Sequence, residues 1–134
     1  MIDGAALRAS QQWQHSARRK VDWDWLEGFS TFKFRYPKRF EMALWQGGRL
    51  MSLSLGRPTY QGQRLRLDFI EGNPEKPKGT RLFEVTFLAM VGYAEALGAK
   101  ELRIMNPIND EVSRYYQRFG FNYVASGNYL TIWL

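Results

Sequence analysis

The sequence predicts a single α/β domain over residues 1–134, with a mixed, mostly antiparallel sheet of six or seven strands and helices on its faces. Two hairpin patterns, one early and one at the end of the chain, predict the antiparallel part. Between them, a strand, a loop, an apolar helix and a strand predict one parallel crossover. The chain is 45% hydrophobic, which suffices for one substantial core, and we find no internal repeat or interdomain linker.

The amino-terminal segment gives the weakest pattern. We expect a helix over residues 5–19, ending in the basic run Arg18-Arg19-Lys20. Residues 21–26 then alternate aromatic and acidic side chains, which fits either a short strand or the start of a helix capped by Asp22. The sequence leaves both interpretations open.

The first hairpin is better defined. Residues 40–45 alternate apolar and polar side chains, Gly47 and Gly48 provide a tight turn, and residues 50–55 return as the partner strand. The glycines and proline of residues 56–62 predict a second connection. Three antiparallel strands should therefore precede the crossover, and residues 122–124 and 129–134 should form the closing hairpin.

The central crossover begins with a strand at Leu65–Ile70, which stops where Gly72 and Pro74 interrupt the pattern. A helix follows from Arg81 to Leu97, with Gly98 at the position of a C-cap, and a second strand spans Glu101–Met105. A strand, helix and strand in this order form a right-handed parallel unit.

The loop of residues 75–80 lies at the carboxyl end of the first of these strands and at the amino end of the helix. Free backbone N–H groups and the positive end of the helix dipole favour an anion there, and Lys76 and Lys78 add positive charge. The alternative is an ordinary solvated connection with two exposed lysines.

Composition excludes several classes of site. The chain has no cysteine and one histidine, His15, which removes disulfides, thiolate chemistry, histidine-based zinc sites and a Ser-His-Asp triad; we expect no metal site. The net charge of +6 indicates an anionic partner. Because residues 1–20 lack the apolar core of a signal peptide and no stretch is long enough to span a membrane, we expect a soluble, cytoplasmic protein without a membrane partner.

A motif follows the second strand. Asn109, Val112, Tyr116, Gly120 and Phe121 stand at offsets of zero, three, seven, eleven and twelve residues. This spacing resembles the second half of the acyl-CoA site in the GNAT family of N-acyltransferases, with valine in place of the usual small residue. The resemblance covers residues 40–134 and implies a GNAT-like fold in which the two parallel strands splay at their carboxyl ends.

The phosphate-binding loop departs from the family pattern Arg/Gln-x-x-Gly-x-Gly/Ala, because Gly79 is its only glycine. If Gly79 is the second glycine, Pro77 replaces the first and removes an N–H donor. If Gly79 is the first, Lys76 takes the basic position and Arg81 the second small one. We favour the first alignment because it preserves the apolar positions of the helix.

The resemblance implies an acyl-CoA-dependent N-acyltransferase, in which an amine attacks the thioester of acetyl-CoA directly. The loop and the motif give the following candidate cofactor-binding residues: Ile70, Gly72, Lys76, Lys78, Gly79, Thr80, Arg81 and Asn109.

For catalysis, the irregular end of the strand near Ile70–Gly72 would supply an N–H group to the carbonyl oxygen. Glu71 is the first candidate for general base and Asp68 the second, and Tyr116 matches the family's proton donor to the thiolate. Glu71 would otherwise be a strand-end carboxylate paired with a basic residue. Tyr116 would otherwise be a core aromatic, although we expect Tyr115 to be the core residue of the two.

Two other classes stay open: a catalytically inactive GNAT-shaped binding or inhibitory module, and a nucleic-acid-binding protein. The second would use basic residues interleaved with aromatic ones: Arg18, Arg19, Lys20, Lys33, Arg35, Lys38 and Arg39. The acceptor is open among a small amine, an amino-acid derivative, a protein amino terminus and a lysine side chain, as is the oligomeric state. In the family, the segment before the first hairpin helps form the acceptor pocket. Four aromatic residues of that segment are therefore candidates for the pocket lining: Trp23, Trp25, Phe29 and Phe32. A core role is the better interpretation for most of them.

Overall fold

The structure is a computed structural model, and it describes residues 1–59, 61–77 and 79–134. In these residues the strands are β1 (Phe40–Gln46), β2 (Arg49–Thr59), β3 (Arg64–Gly72), β4 (Glu101–Met105), β5 (Asn122–Val124) and β6 (Tyr129–Trp133). The helices are α1 (Gly4–Gln11), α2 (Trp25–Arg35), α3 (Leu82–Leu97) and α4 (Asp110–Gln117), with short 3₁₀ turns at Gln12–His15 and Ala125–Gly127.

The strands form one sheet in the order β1-β2-β3-β4-β6-β5. Only β3 and β4 pair in parallel, and every other neighbouring pair is antiparallel. The predicted fold class, a mixed and mostly antiparallel sheet of six or seven strands, is confirmed.

Helix α3 makes the crossover between β3 and β4 and ends at Gly98, whose φ of 77° gives the left-handed C-cap that the sequence predicts. Its apolar side chains pack on one face of the sheet together with α4. This first core includes Phe83, Met90, Leu67 and Leu102.

Helices α1 and α2 cover the other face, where Trp25, Phe29 and Phe32 pack against the leucines of β2. Helix α2 begins after Asp24, whose side chain accepts a hydrogen bond from Glu27 N; the helix interpretation of residues 21–26 was therefore correct, but the cap is Asp24 and not Asp22. The predicted helix over residues 5–19 is too long. The helical segment ends at His15, and extended backbone at Ser16 redirects the chain.

The connection predicted over residues 56–62 is wrong for its first part, since β2 continues to Thr59. A Cβ atom at Gly56 would lie 2.1 Å from the carbonyl oxygen of Arg66, so this glycine permits a close strand contact and does not end the strand. Pro58 is tolerated because β1 pairs with β2 only as far as Gly56.

The parallel strands separate as the resemblance implies. β3 pairs with β4 only from Arg64 to Leu67, yet β3 continues to Gly72. A cleft therefore opens beside the last residues of β3, next to the amino end of α3. Within the described residues, no helix is long and apolar enough to cross a membrane, and no group of three or more His, Cys, Asp or Glu side chains is placed to hold a metal ion.

Candidate active site

The last residues of β3 present free backbone edges to the cleft. Asn73 N donates to Met51 O at 2.7 Å, which fixes the phase of the β2–β3 ladder. Because hydrogen-bonded and non-hydrogen-bonded pairs alternate in an antiparallel ladder, the N–H and C=O groups of Ile70 and Gly72 point away from β2. They face the side where β4 has ended, which is where the sequence placed cofactor-binding residues.

The backbone irregularity of β3 lies earlier than predicted. Leu55 pairs with Phe69 and Gly56 with Leu67, so Asp68 is the extra residue of a β-bulge. The residues near Ile70–Gly72 are regular, in contrast to the expected irregular strand end. The bulge instead sits where β3 and β4 begin to separate.

In the loop before α3, Pro77 and Thr80 are in contact. The Thr80 hydroxyl donates to Pro77 O at 2.6 Å, and Gly79 has a φ of 85°. Arg81, which the sequence placed in the helix, precedes it and makes no side-chain cap; its guanidinium lies 3.6 Å from Glu84. The first N–H groups of α3 are therefore not capped by the side chain that precedes them.

Lys76 folds back over the end of β3. A Cβ atom at Gly72 would lie 3.0 Å from Lys76 Nζ, so the glycine leaves room for this ammonium. Burial lowers the pKa of Lys76, the nearby Lys20 lowers it further, and Glu71 opposes both effects. Lys76 thus lies beside Gly72, whose Cβ position is also 3.4 Å from Leu82 at the amino end of α3, and Lys20 is near enough to affect it. Lys78 lies outside the described residues.

Glu71 is held by three donors. Arg19 Nε and Nη2 donate to its two carboxylate oxygens at 2.8 and 2.9 Å, and Trp25 Nε1 donates at 2.8 Å. Only 7% of the Glu71 side chain is exposed. This is the paired strand-end carboxylate that the sequence analysis kept as the alternative to a general base.

Asp68, unlike Glu71, has one carboxylate oxygen without a hydrogen-bond donor among the described residues. Its Oδ1 accepts hydrogen bonds from Arg66, but its buried Oδ2 has no hydrogen-bond donor among the described residues, and Arg57 Nε lies 3.9 Å away. The side chain is 9% exposed. Burial raises the pKa of Asp68, and the nearby Arg66 and Arg57 reduce that rise.

Asp68 lines a cavity of about 500 Å³ that runs beneath α2. Its walls include Asp24, Gly28, Phe32, Tyr36 and Arg57. A second cavity of about 160 Å³ adjoins it and shares Asp24, Gly28 and Phe69; its remaining lining is Trp23, Trp25, Phe29 and Leu55. All four aromatic residues proposed for an acceptor pocket thus line one of the two cavities, while Trp25, Phe29 and Phe32 also belong to the core.

The motif residues lie on α4 and just beyond its two ends. Asn109 caps this helix, since its Oδ1 accepts a hydrogen bond from Val112 N at 2.9 Å. Tyr116 is buried, and its ring centroid lies 4.7 Å from that of Phe83 in the first turn of α3. The expectation that Tyr115 is the core residue is wrong, because Tyr116 is the more buried of the two.

Most of the aromatic residues near the basic amino-terminal cluster are not available to stack on bases. Trp25, Phe29 and Phe32 are buried, whereas Phe34, between Lys33 and Arg35, is 91% exposed. Arg19 is paired with Glu71 and Arg39 with Glu41, so their charges are already compensated.

Arg57 and Arg66 are site residues that the sequence does not reveal. No local pattern marks them, because their role depends on the pairing of β2 with β3. The helix α2 could have been found: Asp24 and Glu27 have the spacing of a capping box, three residues apart, before an apolar run.

No protein-family model matches the sequence. A search of curated proteins also found no similar sequence. Solved structures do match. The chain superposes on the ribosomal-protein-S18-alanine N-acetyltransferase of Escherichia coli with a TM-score of 0.72 and 14% identity, covering 98% of this chain and 90% of that one.

Two further structures give the same result. An aminoglycoside 6'-N-acetyltransferase complexed with coenzyme A matches with a TM-score of 0.70 and 11% identity, covering 96% of this chain and 89% of that one. The GNAT domain of S. lividans PAT matches with a TM-score of 0.73 and 15% identity, covering 100% and 87%. The chain spans 66% of the length of nourseothricin acetyltransferase, another match. At these identities the likeness establishes the fold.

Proposed function

We propose that this chain, which has the fold of the GNAT acetyltransferases, is an acyl-CoA-dependent N-acyltransferase that moves an acetyl group to an amine. One observation carries the proposal: the open backbone edge of β3 and the buried carboxylate of Asp68 meet at the point where β3 and β4 separate. A thioester held along that edge and an amine held near Asp68 would come together there.

The residues present fit the cofactor. The unpaired edge of Ile70 and Gly72 suits an arm that carries amide groups. The uncapped first turn of α3, together with Lys76, suits its phosphates, although Pro77 offers no N–H group. Gly79, Thr80, Arg81 and Asn109 would complete the site. A solved structure with the same fold is a complex with coenzyme A, which supports this assignment.

Bound acetyl-CoA would supply the acetyl group as a thioester: the amine nitrogen bonds to the carbonyl carbon, the C–S bond breaks, and a thiolate leaves. The nitrogen must then lose two protons and the thiolate must gain one. Asp68 takes the first proton from the acceptor ammonium and passes it to solvent, the Tyr116 hydroxyl gives one to the thiolate, and the second proton of the nitrogen returns to the Tyr116 oxygen. The free N–H groups of β3 stabilise the carbonyl oxygen as it gains charge.

The role of general base is assigned to Asp68 and not to Glu71, the first candidate from the sequence. Every oxygen of Glu71 already accepts a hydrogen bond from Arg19 or Trp25, and proton transfer there would leave the buried Arg19 without its counter-ion. Asp68 keeps one oxygen without a donor.

Calorimetric titration with acetyl-CoA tests the proposal. We expect micromolar binding, which corresponds to about −8 kcal/mol. Absence of heat and of any thermal shift with excess acetyl-CoA would favour the second candidate, a non-catalytic binding module. Its support is the single glycine of the loop and Pro77, which together reduce the number of backbone groups that can approach a phosphate.

A further inference from the structure

The two cavities under α2 are built for a ligand with both a positive and a negative group. We propose that the acceptor is an amino acid: its ammonium contacts Asp68 Oδ2, its carboxylate contacts Arg57, and its apolar side chain enters the cavity lined by Trp23 and Trp25. As an assignment of the acetyl acceptor, this inference rests on the proposed function, but binding of the amino acid can be tested alone.

The gap between Asp68 and Arg57 supports the proposed contacts of the ligand ammonium and carboxylate. The buried Oδ2 has no hydrogen-bond donor among the described residues, and Arg57 Nε at 3.9 Å is too distant to be one. A buried carboxylate oxygen without a donor is unfavourable, and an ammonium group would satisfy it. In an α-amino acid the nitrogen and the carboxyl carbon are two bonds, about 2.5 Å, apart, so the carboxylate falls within reach of the neighbouring guanidinium.

Arg57 is placed to change partners. Its guanidinium stacks on the Tyr36 ring, 4.4 Å from the ring centroid, and its side chain is 26% exposed. Arg66 already donates hydrogen bonds to Asp68, whereas Arg57 Nε is 3.9 Å from Asp68 Oδ2 and is therefore available to a ligand carboxylate. The larger cavity as a whole is balanced in charge, with three arginines and three carboxylates in its lining, which suits a ligand that carries one group of each sign.

The smaller cavity supports the apolar side chain. Its 160 Å³ are lined mainly by aromatic groups, and Gly28 lines both cavities. A Cβ atom at Gly28 would meet no atom within 4 Å, so a large side chain at this position would have room to occupy the space beside both cavities.

The test is a fluorescence titration of the protein without coenzyme, in which Trp23 and Trp25 report occupancy. L-phenylalanine is compared with phenethylamine, which lacks the carboxylate, and with 3-phenylpropanoic acid, which lacks the amine. We expect L-phenylalanine to bind at least about tenfold more tightly than either, the effect of one charge-assisted contact. Arg57→Met should abolish the preference over phenethylamine. Equal affinity for phenethylamine and L-phenylalanine in the unmodified protein would overturn the proposal.

Gly28→Leu should block binding while the helix becomes no less stable. Gly92→Leu is the matched control, because Gly92 is likewise an exposed glycine within a helix, with no atom within 4 Å of its Cβ position, but it lies on α3 and is not in the lining of either cavity. Unchanged binding by Gly28→Leu would also overturn the proposal. Binding of acetyl-CoA without binding of L-phenylalanine would leave the enzyme function standing and refute the acceptor class; the reverse result would support an amino-acid site and refute the enzyme.

Discussion

Arg19 and Glu71 form a buried ion pair, with Arg19 Nε 2.8 Å from Glu71 Oε2 and the two side chains 8% and 7% exposed. The pair joins the amino-terminal segment to the central strand across 52 positions of sequence. Trp25 adds a hydrogen bond to the same carboxylate, so α2 is fixed by this contact as well. The position of α2 in turn defines the two cavities.

We expect Glu71→Leu to lower the free energy of unfolding by about 3–5 kcal/mol, because it removes the carboxylate of a buried pair and leaves Arg19 with only the Trp23 carbonyl as a hydrogen-bond acceptor. Urea denaturation followed by circular dichroism measures the change. The control is Arg18→Met, which removes an exposed contact 3.8 Å from Glu75 and should cost less than about 1 kcal/mol. Similar small effects for both variants would show that the Arg19–Glu71 pair does not hold the segment.

Asp68→Asn should reduce turnover by about 10²- to 10⁴-fold, the usual effect of losing a general base. In the unmodified enzyme, turnover should rise with pH through the raised pKa of Asp68, because only the ionised carboxylate accepts a proton. Initial rates from pH 4 to 8 provide the profile. Glu95→Gln, at an exposed carboxylate of α3, should leave it unchanged.

The contribution of Asp68 to the stability of the fold should fall as pH rises, whereas turnover rises. Since burial raises the pKa of Asp68 in the folded state, its contribution to stability is lost as pH rises through that pKa. The Tm of Asp68→Asn minus that of the unmodified protein should therefore increase between pH 4 and pH 8. A constant difference would mean that the charge of Asp68 is fully compensated in the fold.

Lys76→Gln should weaken coenzyme A binding and reduce its dependence on salt, because it removes one cation from the amino end of α3. Calorimetric titrations at two ionic strengths measure both effects. Lys100→Gln, at an exposed position between α3 and β4, serves as the control and should bind as the unmodified protein does. If Lys76→Gln has the affinity of the control, the phosphates lie elsewhere.

The central crossover was predictable because its signals are local. Period-two alternation defines the residues of β4, and Gly98 supplies the left-handed C-cap that α3 needs. The error at Gly56 has the opposite origin. Gly56 is needed because the carbonyl of Arg66 on the next strand lies too close for a side chain, and nothing within residues 56–62 reveals that contact.

The site was less predictable because its contacts, like that of Gly56, join residues that are distant in sequence. Glu71 is occupied by Arg19, which is distant in sequence, and Asp68 lies beside Arg57 only through the pairing of β3 with β2. The placement of free backbone groups at Ile70 and Gly72 could be anticipated, because it follows from strand order and from the end of β4. Side-chain roles at a site built from three elements depend on packing, which the sequence does not encode locally.

Tyr116→Phe tests the proton donor. Burial raises the pKa of Tyr116 above its usual range, so the hydroxyl stays protonated at working pH but is a weak acid, and it gives its proton to the thiolate as its oxygen regains one from the acceptor nitrogen. The substitution keeps the ring against Phe83, and the fold should survive with a small change in Tm. Turnover and kcat/KM should fall together by about 10²- to 10⁴-fold, while coenzyme affinity changes little, since the hydroxyl acts chiefly in the transition state. Tyr115→Phe, the adjacent and less buried tyrosine, should be nearly silent in the same assay. Full turnover by Tyr116→Phe with an accepted amine would assign Tyr116 to the core alone.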